Sequence, residues 1–329
     1  MSYITNGLIQ ASDYNTFATQ LNTLWATGSG PQGLGQTAIP LVTKGNEVTA
    51  SQWDSILSVI SALAAQQSPS SQYVTQPDYV PSNSGSDAQA LIRYISSIST
   101  NISTLSSNYL NAASQVSTTP AIITSTQRWS NQAVYTFTVQ FSSGDAARYF
   151  FNAGGQLKLS MSHPTGTPLD SMFRLLCQQI GTLVISAPGL SPSTTHIAGV
   201  DYQGLTQVIT QQGAVPDSFL AQAGYYGLTA ASTEIFKQRM DTGFYSNYLG
   251  SSITVRANTN GTQGGNNDNG SSVTIEVIWS EIPPTLFVSV GTQIALTIVR
   301  PALSSDSGSS SPLVKAWGTY LVQASQSYI

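Results

Sequence analysis

The chain has 329 residues, 40% of them apolar, enough for one large domain or two to three small ones with a real core. Only 8% are charged, against about 25% in an ordinary soluble domain, and the formal charge is -4 with 11 Lys and Arg together. No basic run offers a phosphate-tracking surface, the lone Cys177 excludes a disulfide within the chain, and no apolar run approaches the roughly 20 residues of a membrane-spanning helix.

Ser, Thr, Asn, Gln and Gly carry the polarity instead. Such a surface is wet but poor in ionic repulsion, which suits close packing beside copies of itself. Met1 to Asn6 lacks the charged-then-apolar order of a signal peptide, so the protein is expected to be made in a cytoplasm and to stay soluble.

Residues 1–68 predict a helical hairpin. The first helix follows Ala11-Ser12-Asp13, with Tyr14, Phe17, Ala18, Leu21, Leu24 and Trp25 on one stripe. The second follows Thr49-Ala50-Ser51-Gln52, with Trp53, Ile56, Leu57, Ile60, Leu63 and Ala64 at the same spacing. Trp53 follows Tyr14 by 39 residues, which reads as a repeated helical unit. Tyr14, Phe17, Leu21 and Trp25 are expected to pack against Trp53, Ile56, Ile60 and Leu63. Thr49 to Gln52 fits a capping box. Gly28-Ser29-Gly30-Pro31-Gln32-Gly33-Leu34-Gly35-Gln36 between them reads as a multi-turn loop.

Residues 69–86, rich in Ser, Pro, Asn and Gly, predict a linker. Residues 87–117 predict one long helix of a different period. Leu91, Ile95, Ile98, Ile102, Leu105, Tyr109, Ala112 and Val116 alternate in steps of 4 and 3, the seam of a left-handed coiled coil. β-Branched residues in both seam positions permit a trimer if the seam lies between chains; packing on the first two helices within one chain is the equal alternative.

Residues 121–329 predict an all-β sandwich, jelly-roll-like. Period-two alternation marks Val134–Phe141, Gln156–Met161, Ile253–Ala257, Ser272–Trp279 and Gln293–Val299 as strands. A short helix, Leu169 to Ile180, crosses one end, and Cys177 reads as a small buried apolar residue on it. The fold class is thus α+β: a helical hairpin and a long heptad helix followed by the sandwich.

Gly28-Ser29-Gly30-Pro31-Gln32-Gly33 is a literal GxGxxG, but a dinucleotide site needs a strand before it and a helix after it. Here a helix precedes and none follows, so the glycines read as turn formers. His163 and His196, the two histidines, with one cysteine supply no recognisable zinc set and read as solvated loop residues. No GxSxG occurs, and the spacing of Asp145, Asp170, Asp201, Glu234 and Asp241 nominates no carboxylate pair; turn and cap roles cover most of them. No catalytic, cofactor or metal residue is therefore predicted. Trp129, Trp279 and Trp317 read as core. Tyr225, Tyr226, Tyr245 and Tyr248 are the candidate contact surface, for sugar rings or for a neighbouring subunit.

Ala11-Ser12-Asp13-Tyr14-Asn15, Gly28-Ser29-Gly30, Gly33-Leu34-Gly35-Gln36-Thr37, Gly45-Asn46 and Val48-Thr49-Ala50-Ser51-Gln52-Trp53 together resemble the start of a family of tailed-bacteriophage virion structural proteins. That family combines a Tyr-Asn helix, a Gly-Ser-Gly plus Gly-Tyr-Gly-Gln loop and a Thr-Ala-x-Gln-Trp helix; Leu34 stands where Tyr is expected. Arg148-Tyr149-Phe150-Phe151-Asn152-Ala153-Gly154-Gly155-Gln156-Leu157 is similar to its Phe-Phe-Asn-x-Gly-Gly segment leading into a strand. The resemblance implies a non-enzymatic part of a phage particle, associated with tail, neck, baseplate or fibre. It would be assembled in the host cytoplasm, with copies of itself and other virion proteins as partners. A host-surface carbohydrate-binding adhesin is the alternative; a head decoration protein or a virion-borne cell-wall hydrolase ranks below it.

Overall fold

The structure is a computed structural model. It describes residues 11–67, 87–108, 114–187, 195–197, 200–202, 206–209, 217–219, 224–240, 246–262, 270–282 and 286–329. Helices come first and antiparallel sheets follow, an α+β arrangement. The chain divides into two compact units, Met1–Ser114 with Ala302–Ala316, and Gln115–Pro301 with Trp317–Ile329. The helical unit is thus discontinuous: a segment expected in the β domain belongs with the helices. Its Leu313 is buried there, and its Ser311 hydroxyl donates to Gln66 Oε1 at 3.3 Å.

Three helices, α1 (Ala11–Trp25), α2 (Ala50–Gln67) and α3 (Asp87–Ser107), share one core. Tyr14, Phe17, Leu21, Trp25, Ile56, Ile60 and Leu63 are all buried, as the two stripes require. Trp53 is half-buried and meets the Tyr14 ring edge-on at 5.7 Å. At the start of α2 the Gln52 side chain accepts from the Thr49 amide at 2.8 Å, one half of the expected capping box.

The long heptad helix is corrected. α3 ends at Ser107, and Val116 lies in a strand, opposite Arg300. Ile95, Ile98, Ile102 and Leu105 are buried, and α3 packs on α1 and α2 of the same chain. These four residues pack into a core within the chain, the alternative that the heptad spacing left open. Two causes end the helix early. Its surface is hydroxyl-rich, with Thr100, Thr104 and Ser107 bonding back to carbonyls four residues earlier, a habit that does not favour helix. Beyond it, Gln115–Ser117 gains strand hydrogen bonds that a helix would forfeit. Tyr109 and Ala112, the side chain of Leu91, and the 69–86 linker lie outside the described residues.

The second unit runs β1 (Gln115–Ser117), β2 (Ala121–Thr124), β3 (Gln132–Phe141), α4 (Gly144–Asn152), β4 (Gln156–Ser162), α5 (Pro168–Ile180) and β5 (Thr182–Ile185). It continues through β6 (Thr195–Ile197), β7 (Val200–Tyr202), β8 (Thr206–Ile209), β9 (Ser218–Phe219) and β10 (Thr233–Arg239). It closes with β11 (Ser252–Thr259), β12 (Ser272–Ser280), β13 (Gln293–Pro301) and β14 (Tyr320–Tyr328). One six-stranded sheet has the order β1-β13-β4-β5-β8, with β2 also beside β13; the other has β14-β3-β12-β11-β10-β9, and β6 pairs with β7 alone.

The period-two stretches become strands because alternate residues can all be buried on one side. Ala133, Tyr135, Phe137, Val139 and Phe141 of β3 are buried, and the residues between them are half-exposed. Between the two large sheets the chain switches from β2 to β3, from β3 to β4, from β8 to β9, from β12 to β13 and from β13 to β14. Between these switches, β4 and β5 are neighbours in the first sheet, and β9 through β12 are successive neighbours in the second.

Candidate functional site

Among the described residues, the densest chemistry lies where the end of β4, the start of α5 and the segment before β13 meet. Thr167 caps α5: its hydroxyl accepts from the Asp170 amide at 3.2 Å while Asp170 Oδ2 accepts from the Thr167 amide at 2.8 Å, and Pro168 fits the first turn. The helix therefore anchors Asp170 with its carboxylate turned inward. That carboxylate also accepts from Thr167 Oγ1 (2.9 Å), the Ser289 amide (2.9 Å), Ser289 Oγ (2.8 Å) and His163 Nε2 (3.0 Å). His163 Nδ1 lies 2.9 Å from Thr292 Oγ1. Because an ionised carboxylate only accepts, Nε2 carries the proton, and Nδ1 of the neutral ring accepts from the Thr292 hydroxyl.

Thr292, His163 and Asp170 thus stand in the order of a nucleophile, base and orienting acid. No spacing in the sequence brought them together; Thr292 and His163 lie 129 residues apart. Yet the side chains of His163 and Asp170 are 0% exposed, and Thr292 is 0% exposed. No reactive atom of the three meets solvent. The array ties three segments together. Ser125 Oγ accepts from the Gly291 and Thr292 amides, both at 2.9 Å, and the Trp129 and Phe173 rings, 5.4 Å apart, pack beside it with Trp279 stacked on Phe173 at 5.0 Å.

Burial lowers the His163 pKa, and its bond to Asp170 offsets that only in part. Burial alone would raise the Asp170 carboxyl, but the donors from His163, Ser289 and Thr167 outweigh it and hold it well below the usual carboxylate range. The reading of His163 as a solvated loop residue is therefore corrected; adjacency to Pro164 suggested a loop, and the loop folds inward to meet Asp170. His196 lies in β6, with its side chain outside the described residues. Cys177 is buried on α5, where burial pushes its thiol up.

The glycine loop does the work of a helix terminus. Gly28, Gly30, Gly33 and Gly35 all have positive φ, and a Cβ on Gly28 or Gly33 would collide with backbone carbonyls. Amides of Leu34, Gly35 and Gln36 return to the last carbonyls of α1 and the residue after it. From there the chain runs back along α1, held by side-chain amides. Asn22 and Ile39 exchange two bonds (2.9 and 2.7 Å), Asn15 and Val42 two more (both 2.8 Å), and the Tyr14 hydroxyl donates to Pro40 O at 3.0 Å. Gln36 exchanges two with Val314, both at 2.9 Å. An open groove of about 440 Å³ between α1 and α3 is lined by Gln20, Thr23, Gln32, Ser99, Ser103 and their neighbours, none of them charged.

Two of the four tyrosines expected on a contact surface, Tyr225 and Tyr248, are placed differently. Tyr225 is buried, stacks on Phe151 at 4.3 Å and donates to Gly270 O at 3.2 Å; Tyr248 is buried as well. Tyr226 is half-buried and donates to Asn152 Oδ1 at 2.7 Å. Tyr225 and Tyr248 thus fill core instead of surface. Tyr245 lies outside the described residues. Trp129, Trp279 and Trp317 are core residues. Among the described residues no three His, Cys, Asp or Glu side chains gather as a metal ion would need, and no helix is long and apolar enough to cross a membrane. Fold and site together define an α+β protein in which the Thr292–His163–Asp170 array is a buried fastening. Compared with known proteins, the chain matches no family model, no curated protein and no solved structure.

Proposed function

We propose that this chain is a non-enzymatic structural component of a tailed-phage virion, associated with tail, neck, baseplate or fibre and acting by assembly with its own copies and other virion proteins. The observation that carries the reading is the sealed Thr292–His163–Asp170 array. The constellation with the chemistry for bond-making is spent on holding segments together. A chain with 8% charged residues supports the same reading, since its surface can lie against other subunits with little ionic desolvation.

The phage assignment rests on the resemblance of the first 60 or so residues. Tyr14, Asn15, Gln36 and Gln52, which carry that resemblance, each hold backbone in place. The motif is then a folding signature, and it brings no reaction with it. In the same reading the two large sheets are the layers of a jelly-roll-like sandwich.

Mass spectrometry of purified particles, followed by imaging of a particle with this chain labelled, tests the proposal. Stoichiometric copies at a fixed position are expected. A chain that is made in infected cells but missing from the particles, or that turns over a cell-wall substrate, would refute it.

A further inference from the structure

We propose that the outer edge of β14 pairs, antiparallel and about a two-fold axis, with β14 of a second copy of this chain, joining two six-stranded sheets into one. The inference rests on the assembly reading above and names a surface that carries it.

β14 ends its sheet, with β3 on its inner side and, among the described residues, no hydrogen-bonded strand on the other; β2, in the other large sheet, lies near it, and Thr126 bonds to the side chains of Gln326 and Tyr328. Reciprocal bonds between Gln132 and Ile329 set the phase of the ladder. Antiparallel pairing alternates, so Leu321, Gln323, Ser325 and Ser327 bond to β3, while Tyr320, Val322, Ala324, Gln326 and Tyr328 turn their N–H and C=O groups outward. Those outward groups have no backbone partner among the described residues.

Exposed edges are ordinarily blunted by charge, proline, bulges or shortness. This one has nine residues, Tyr-Leu-Val-Gln-Ala-Ser-Gln-Ser-Tyr, with neither charge nor proline and an unbroken register. Its apolar layer also stops short. Inward residues of β3 and β12 are buried, whereas Tyr320, Val322, Gln326 and Tyr328 are only half-buried and Ala324 is exposed.

The strand's own pattern selects the occupant. Pairing through the outward groups sets even positions against even positions. Centred on Ala324, it puts Ala324 against itself, Val322 against Gln326 and Tyr320 against Tyr328, so an aromatic pair closes each end. An edge bearing charges would meet its own like charges in this arrangement; a charge-free one does not. One strand pair buries less than the roughly 1,200 Å² of a standard interface, so the association strengthens with concentration.

Sedimentation of the full chain over rising concentration tests this. The mass is expected to double reversibly. Val322→Pro, which removes only an outward donor, and Ala324→Lys, which places a charge on the free edge, are each expected to abolish the doubling with the far-ultraviolet circular dichroism unchanged. Should Val322→Pro fail to fold, Ala324→Lys decides alone. A wild-type chain that stays monomeric throughout overturns the pairing. Self-association that persists in the folded variants overturns this edge but leaves the assembly reading standing, because localisation in the particle tests that separately.

Discussion

Asp170 carries a full charge where water cannot reach it, and donors from Thr167, Ser289 and His163 make that tolerable. Asp170→Asn replaces an acceptor with a group that must point its own donors at other donors. The change is expected to cost about 3–5 kcal/mol, read from urea unfolding. Stability depends on pH through both groups. His163 titrates lower in the fold than its ordinary value, so the unfolded chain binds the proton more readily. Its contribution is complete above about pH 6.5 and is lost as pH falls through the lowered folded value. Asp170 acts in the same sense at more acid pH, below about pH 4. Urea midpoints should therefore decline as the solution is acidified from neutrality, and His163→Gln should flatten the first part of that decline. A midpoint that rises on acidification would contradict the neutral-histidine assignment. None of this was legible beforehand, because the partners come from three separated stretches of chain.

At the scale of elements, the amide clamps on α1 make a second expectation. Asn22→Ala removes both bonds to Ile39, at about 1–3 kcal/mol, and hydrogen exchange should lose protection at the Ile39 amide first. The placement of α3 makes a third. Ile98 is 1% exposed inside one chain, so Ile98→Ala is expected to cost about 2–5 kcal/mol regardless of protein concentration. A cost that shrinks at high concentration would instead indicate a seam between chains.

The elements were legible in unequal measure. Stripes on α1 and α2, the strands from β3 to β13 with strict alternation, and α5 stood out because one face of each is buried nearly without exception. α4 was hidden: Arg148-Tyr149-Phe150-Phe151 was legible only as the lead into a strand, but Ser143 caps a helix by accepting from the Ala146 amide, and Gly155 then packs close on the Phe150 ring. β14 was hidden because an edge strand need not alternate.

For the whole molecule, low charge makes one more expectation. Self-association through uncharged strands should be nearly the same at low and high salt in sedimentation, whereas a charge-steered interface would weaken as the Debye length shrinks to about 3 Å in molar salt. A strongly salt-dependent mass would point to the few ionic residues instead.

By itself the sequence determined the α+β fold class. Composition limited the charge, and apolar periodicity separated helices from strands, because burial of one face imposes its period on neighbouring residues. Tertiary structure alone decided what those faces meet. Ile95, Ile98, Ile102 and Leu105 satisfy a heptad wherever the apolar partner comes from, and only the fold supplied α1 and α2 as that partner. Thr292, His163 and Asp170 have no periodicity at all. Their meeting depends on long-range chain closure, which no local pattern encodes.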